Sequence, residues 1–331
     1  MKRLKIIISV ISLVFSFMAS PVYAGETYDK LALQGYLLSW NEGLAKERIV
    51  AFVESTSDPM SKNFVPQEQR RAFFDMDGTL LCEKPDYIEV AVTKQRLKEK
   101  ASADPSLAQK GVYKAASDND DAYLYKHVKE AIAEAFGGET LRFFITYCRN
   151  FLHTQKHPRF QRSYIELFYV PMLELTDYLR GHGFRIYVVS TSQQEFIRSI
   201  ARDVLKIPDE QVIGTMVGFD LQNMDKDEPP VFVRKENYFS PYNADEEKVV
   251  RMRERGVMPS VFAFGNSSGD LAMLDATADS GLPGLVCILD HDDPDREYEY
   301  HKKKLLKVAK ERNWNVVSMK NDFRTVFRAH Q

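Results

Sequence analysis

Asp75 and Asp77 stand two residues apart at the end of an apolar run, in Phe73-Phe74-Asp75-Met76-Asp77-Gly78-Thr79-Leu80. Two carboxylates at this spacing suit phosphoryl transfer. Asp75 can attack phosphorus and carry an aspartyl-phosphate. Asp77 can protonate the leaving oxygen, then deprotonate the water that clears the intermediate. Like charges this close need a cation, and Mg²⁺ is the usual partner of hard oxygen ligands. The plainer alternative is a surface Asp-x-Asp-Gly turn.

The flanking pattern places the pair. Ala72 to Phe74 predicts a short buried strand. Gly78 permits a turn that other residues resist, and Thr79 can bond the local backbone. The acids are therefore expected at the carboxyl end of a strand, where ligands of open α/β sheets bind. Phe184 to Val189 predicts a second strand that delivers Ser190 to the same edge. Its hydroxyl can donate to a phosphate oxygen, with Thr191 and Ser192 as rival donors. A helix over Gln194 to Leu205 adds backbone N–H groups there. Val261 to Phe264 predicts a third strand, opening into Gly265-Asn266-Ser267-Ser268-Gly269-Asp270. The Asn266 amide oxygen can ligate Mg²⁺. Asp270 can ligate through water, orient a ligand, or cap the helix from Leu271. Asn243 is expected to cap a helix over Ala244 to Arg255. Lys248 then falls near the helix start, where the dipole disfavours a cation. A phosphate-facing role accounts for that cost; a solvated lysine is the alternative, and Lys235 is the rival cation.

These segments resemble the four motifs of the haloacid dehalogenase-like superfamily of phosphohydrolases. Phe73 to Leu80 is similar to motif I and Ile186-Tyr187-Val188-Val189-Ser190 to motif II. Lys248 stands where motif III has its lysine, and Gly265 to Asp270 is similar to motif IV. The order and spacing resemble the phosphoserine phosphatase-like branch. From about Trp40 onward the chain looks like a group of secreted bacterial acid phosphatase-like members. The resemblance implies a Rossmann-like parallel sheet with helices on both faces, and a helical cap inserted between motifs I and II. It implies Mg²⁺-dependent hydrolysis of small phosphomonoesters, with Asp75, Asp77, Asn266 and Asp270 around the metal. Asp77 would also offer its backbone carbonyl, and Ser190 and Lys248 would hold the phosphate. Two departures stand out. Most relatives outside this group carry an acid in place of Asn266, and many have glycine near Thr191 and Ser192. The same parts would serve phosphoryl transfer to an alcohol acceptor, or an extracytoplasmic phosphate-ligand-binding protein that has lost catalysis. Haloacid dehalogenation has no use for Asp77 as an acid.

The remaining sequence frames the site. With 331 residues, 44% hydrophobic and 28% charged, the composition is globular and long enough for a sizeable core. Lys2, Arg3 and Lys5, the apolar stretch Ile6 to Phe17, and Val22-Tyr23-Ala24 read as a signal peptide, residues 1–24, cleaved to leave no membrane anchor. Its removal takes away three positive charges and moves the formal net charge from −2 to −5. A periplasmic or secreted protein with no field for nucleic acid is expected. Residues 25–69 read as an N-terminal helical segment packing on the core, with Ser39-Trp40-Asn41-Glu42 as a capping box for a helix through Glu54. Residues 70–84 and 168–331 form the expected core, and 85–167 the helical cap. Helical spacing is seen over Tyr87-Ile88 to Leu97, Tyr123 to Phe136, and Leu141 to Leu152; Tyr164 to Arg180 reads as a further helix. Tyr113, Tyr123, Tyr125, Tyr147 and Tyr164 are candidates for a substrate-facing wall, and His157 and Arg159 for substrate contact. Val212 to Phe219 and Val231 to Val233 read as a hairpin. Leu285 to Leu289 predicts a strand ending in the acidic loop Asp290 to Pro294, followed by a helix over Asp295 to Arg312. Cys82, Cys148 and Cys287 have no metal-ligand spacing and allow at most one disulfide.

Overall fold

The structure is a computed structural model that describes residues 37–223, 229–239 and 241–329. The expected signal peptide and the loop at 224–228 lie outside the described residues. The first helix is α1 (Leu44–Ser57), followed by strand β1 (Arg71–Phe74). Five helices come next: α2 (Ile88–Ala103), α3 (Gly111–Asp118), α4 (Asp121–Lys126), α5 (Val128–Phe136) and α6 (Leu141–Thr154). The chain returns through α7 (Val170–Gly181), β2 (Arg185–Gln193), α8 (Gln194–Ile200) and β3 (Val212–Thr215). A hairpin of β4 (Val217–Gln222) and β5 (Val231–Phe239) precedes α9 (Glu246–Glu254) and β6 (Phe262–Gly265). The last elements are α10 (Leu271–Ala278), β7 (Leu285–Asp292), β8 (Glu299–Tyr300), α11 (Lys303–Glu311), β9 (Asn315–Ser318) and α12 (Met319–Asp322).

The central sheet runs β3-β2-β1-β6-β7-β9, all parallel, with short β8 antiparallel to the end of β7. Alternate residues feed opposite faces, as the pleat requires. Ala72, Phe74, Ile186, Val188, Phe262 and Phe264 join one core cluster with Ile49 and Val53 of α1 and Leu175 and Leu179 of α7. Phe73, Tyr187, Val189 and Ala263 join the other, with Met252 of α9, Met273 and Leu274 of α10, and Leu305 of α11. Helices thus cover both faces, and the fold is the expected Rossmann-like α/β sheet. The chain leaves β1 toward β2 and β3 on one side and takes up β6 and β7 on the other. β1 is therefore the switch point, where a crevice opens at the carboxyl ends.

Several local expectations are corrected. Ser39 does not cap α1; its backbone N–H and hydroxyl donate to the Glu174 carboxylate at 2.8 and 2.9 Å, and α1 starts at Leu44. The run Tyr123 to Phe136 breaks at His127, and Tyr164 to Arg180 splits into a single turn and α7, with Pro171 in the first turn. Val212 to Thr215 belongs to the main sheet; only β4 pairs with β5. That hairpin leans on the inserted helices, with Arg234 N donating to Glu139 O at 2.9 Å and a bridge between Thr140 and Val233. Asn243 does not cap α9, because its amide donates to the Ser190 and Ile213 carbonyls instead, at 2.9 and 3.0 Å. No helix follows Asp295 directly: the chain turns through β8 before α11. The three cysteines are buried and free.

Candidate active site

β1 ends at Phe74, and Asp75 is the next residue, its N–H bonded to Phe264 O on β6 at 3.0 Å. A tight turn follows. Gly78 N–H donates to Leu81 O at 2.8 Å and Leu80 N–H to Met76 O at 2.8 Å. Gly78 has φ of 76°, and a Cβ on it would lie 1.9 Å from Asn266 Nδ2. Only glycine satisfies both constraints, so the turn and the Asn266 loop interlock here. Thr79 Oγ1 donates to Asn266 Oδ1 at 3.3 Å.

Lys248 enters from the first turn of α9 and is 2% exposed. Its ammonium donates to Asp75 Oδ1 at 2.7 Å and to Asp270 Oδ1 at 2.6 Å. Asp270 Oδ2 accepts from Asn266 N, Ser267 N and Ser267 Oγ at 3.1, 2.9 and 3.2 Å. Both Asp270 oxygens are thus taken by protein donors. From β2, Ser192 Oγ donates to Asp77 Oδ2 at 2.8 Å, and Ser190 Oγ faces the same oxygen at 3.4 Å. A cavity of about 310 Å³ opens above these groups. Its floor includes Asp75, Asp77, Ser190, Lys248 and Asp270; its far wall includes Tyr87, Tyr125, Ile132 and Tyr242.

Residues 72–275 match the family of haloacid dehalogenase-like hydrolases, a span that holds β2, β6, all of β1 after Arg71 and the whole of this floor. The chain belongs to the haloacid dehalogenase-like hydrolase family. No curated protein matches the chain in sequence. Among solved structures, a conserved functionally unknown protein from Anaerococcus prevotii DSM 20548 is similar at 13% identity and a TM-score of 0.55, over 88% of this chain and 97% of its own. A protein with unknown function from Bordetella pertussis Tohama I has 16% identity and a TM-score of 0.49, over 75% and 98%. A phosphoserine phosphohydrolase-like protein from Francisella tularensis subsp. tularensis SCHU S4 has 17% and 0.41, over 77% and 95%. The first likeness is one of fold; the other two are too loose to bear on activity.

In this haloacid dehalogenase-like hydrolase the electrostatics follow from crowding and burial. Burial raises the Asp75 carboxyl well above its ordinary value; Asp270 adds to this and Lys248 opposes it. Burial pushes Asp77 up to about 6, with the Ser192 and Ser190 hydrogen bonds pulling the other way. Burial works against the Lys248 ammonium, but Asp270 and Asp75 more than offset it and raise its pKa. Burial also pushes Glu89, on the first turn of α2, up to about 7.

The donor chemistry suits a small hard cation. Asp77 Oδ1 is buried without a hydrogen-bond partner, and so is the Asn266 Nδ2 atom beside Gly78. A carboxyl oxygen left in that state has room for the proton of a general acid, and the Asn266 amide for a cation. Turning the Asn266 amide over sends its oxygen to the unpartnered side and a donor to Thr79. Among the described residues, no three His, Cys, Asp or Glu side chains group as a metal centre. The fitting set is therefore Asp75, the Asp77 backbone carbonyl and the Asn266 amide. Asp270 does not face a metal directly; its oxygens hold Lys248 and the Asn266 loop. Nor does it cap α10 with its side chain.

The other candidates divide clearly. Lys235 sits on the hairpin, paired with Asp220 at 3.1 Å, away from the cavity. His157 is buried and bonds Lys84 O through Nε2 at 2.6 Å, while Arg159 donates to Pro294 O at 2.6 Å, so both brace loops. Of the five tyrosines proposed for a wall, Tyr125 lines the cavity; Tyr113 is buried among the inserted helices, donating to Glu134 at 2.8 Å. Tyr87, Tyr242, Glu89 and Gln193 also line the cavity, beyond the residues expected from the sequence. Glu89 left one trace in the sequence, an acid in the first turn of the first inserted helix.

Proposed function

We propose that the chain is a Mg²⁺-dependent phosphomonoesterase acting through an aspartyl-phosphate, and that it works outside the cytoplasm. The observation that carries the activity is the Asp75–Lys248 contact of 2.7 Å at the floor of a cavity, with Asp77 beside it. An Asp75 carboxylate oxygen attacks phosphorus, and the bond from phosphorus to the leaving oxygen breaks. Asp77, with a carboxyl near 6, gives its proton to that oxygen. Water then attacks the phosphoryl group, Asp77 takes the water's proton, and the bond from phosphorus to Asp75 breaks to release phosphate. Lys248 and Ser190 hold the phosphoryl oxygens, a chiefly electrostatic task. Asp75, the Asp77 backbone carbonyl and Asn266 would hold Mg²⁺, which when bound supplies positive charge to the phosphoryl oxygens and leaves the Asp77 carboxyl free to carry its proton. The wall of Tyr87, Tyr125 and Tyr242 fits a small organic leaving group. The extracytoplasmic part of the reading rests on residues 1–24 of the sequence.

Phosphate release from a panel of small phosphomonoesters, with Mg²⁺ and with EDTA, tests the activity. Turnover that requires Mg²⁺ is expected. Absence of release from every ester, or equal rates in EDTA, would defeat the proposal.

A further inference from the structure

We propose that His291 and Glu297 form a positioning pair that fixes the Gly78 end of the catalytic turn and so the aim of Asp77; this rests on the phosphomonoesterase reading. His291 lies in the acidic stretch after Leu289, next to the last residue of β7, and is 1% exposed. Its Nε2 lies 2.8 Å from Gly78 O, and its Nδ1 lies 3.1 Å from Glu297 Oε2. The ring stacks on Tyr300 at 4.2 Å between centroids.

Glu297 is fully buried. Its Oε1 accepts from the Cys82 thiol at 3.0 Å and from the Tyr169 hydroxyl at 3.3 Å. Its Oε2 accepts from Tyr298 N at 2.6 Å as well as facing His291. The Cys82 thiol, the Tyr169 hydroxyl and the Tyr298 N–H donate to this carboxylate, and His291 Nδ1 donates as well when the ring is an imidazolium, since Nε2 carries the N–H that Gly78 O accepts. The Glu297 pKa is lowered: burial opposes that direction, and the His291 and Cys82 bonds with the Tyr298 N–H outweigh it. Glu297 therefore grips the segment after β1 at two points, at Cys82 directly and at Gly78 through His291.

The grip matters because of where Gly78 stands. It follows Asp77 immediately, and glycine is the residue least able to hold its own backbone angles. Its N–H is held by Leu81 O and its carbonyl by His291, so the peptide groups on both sides of Gly78 are fixed from outside. A buried pair of this kind is a poor device for stability, since apolar replacements of similar volume are often neutral or better. It is a good device for orientation, because a fully bonded buried network admits few alternative arrangements of its members. Cys82 belongs to this network as a donor, and burial raises its thiol pKa far beyond the range of a reactive thiolate.

The test uses the full chain with Mg²⁺ and two esters of similar size, p-nitrophenyl phosphate and benzyl phosphate. Benzyl alcohol leaves poorly and needs the Asp77 proton; p-nitrophenolate hardly does. His291→Leu should lose at least about tenfold more kcat on benzyl phosphate than on p-nitrophenyl phosphate, a fraction of what a general acid supplies. His291→Gln, which keeps an amide N–H within reach of Gly78 O, should recover most of that difference. Equal losses on the two esters, or none, would overturn the proposal. If His291→Leu does not fold, His291→Gln and Glu297→Gln decide: the first should keep the wild-type ratio of the two rates and the second should lose it. Amide exchange of the peptide over residues 75–83 reads the grip without turnover. Faster exchange in Glu297→Gln is expected, and unchanged exchange would refute the grip. A wild type that hydrolyses neither ester would refute the phosphomonoesterase reading, while the exchange result still judges the grip.

Discussion

Lys248 sits 2.7 Å from Asp75 and 2.6 Å from Asp270 in the first turn of α9, where the helix dipole disfavours a cation. Two carboxylates compensate for that position, and each needs the lysine in turn. Lys248→Ala should cut kcat/KM by more than about 100-fold, in keeping with the loss of a charge aimed at the phosphoryl group. Lys235→Ala, on the exposed hairpin, should stay near wild type; the reverse ranking would move the role. Asp75→Asn removes the attacking oxygen but keeps the side chain's shape. Phosphate release should fall by about 1,000-fold or more while the melting temperature stays close to wild type. Near-normal release would end the aspartyl-phosphate mechanism. Asp75, Asp77 and Lys248 were legible because chemistry constrains both their type and their spacing. Ser192 was legible only as a rival to Ser190, because the two stand two residues apart on one face of β2 and only their distances to Asp77 Oδ2, 2.8 and 3.4 Å, rank them.

At the scale of elements, α2 brings Glu89 over the sheet edge, where both of its oxygens lie 3.2 Å from Gln193 N. Its carboxyl is pushed from 4.5 up to about 7 by burial, with Asp77 adding to the effect. A carboxyl raised on folding binds more protons in the folded chain than in the unfolded one. Stability therefore falls as pH rises across that interval. Glu89→Gln removes this slope. Its melting temperature relative to wild type should rise by about 2 °C or more between pH 4.5 and pH 8. A flat or falling difference would mean that Glu89 is charged in the folded protein. Two helices of the insert, α2 and α6, were readable from their 3.6-residue spacing; α3 and the break between α4 and α5 at His127 were not. The docking of β4 and β5 on them was not, because Val231 to Phe239 pairs with a strand rather than declaring its neighbour by any pattern.

For the molecule as a whole, the site depends on β1 being clamped between β2 and β6. Phe74 stands directly below Asp75, with ring centroids 5.6 Å from Phe262 and 6.2 Å from Phe264. Phe74→Ala should cost about 3–5 kcal/mol in a denaturant titration, because the packed neighbours cannot close the cavity. Val316→Ala, on the partly exposed side of β9, should stay within about 0.5 kcal/mol. If the two cost the same, β1 is not the keystone of the sheet. Beyond the described residues, cleavage after Ala24 is expected from the charged start and apolar stretch. Intact mass of exported protein checks it, and a mature chain that begins at Met1 would remove the extracytoplasmic reading.

The sequence alone determined the strand ends and the residues they carry, because buried strands need continuous apolar runs and phosphoryl chemistry needs acids, a hydroxyl and a lysine at their ends. Ala72 to Phe74 with Asp75 and Asp77, and Val261 to Phe264 with Asn266, followed from that, and Lys248 from the cost of a cation at a helix start. Only the tertiary structure decided the partners. It set Asp270 against Lys248 and the Asn266 loop. It turned Asn243 from a helix cap into a tie between β2 and β3. It brought His291, 213 residues along the chain, onto Gly78. Polar side chains choose partners by distance and direction across elements, and no periodicity in one strand or helix records which element will lie beside it.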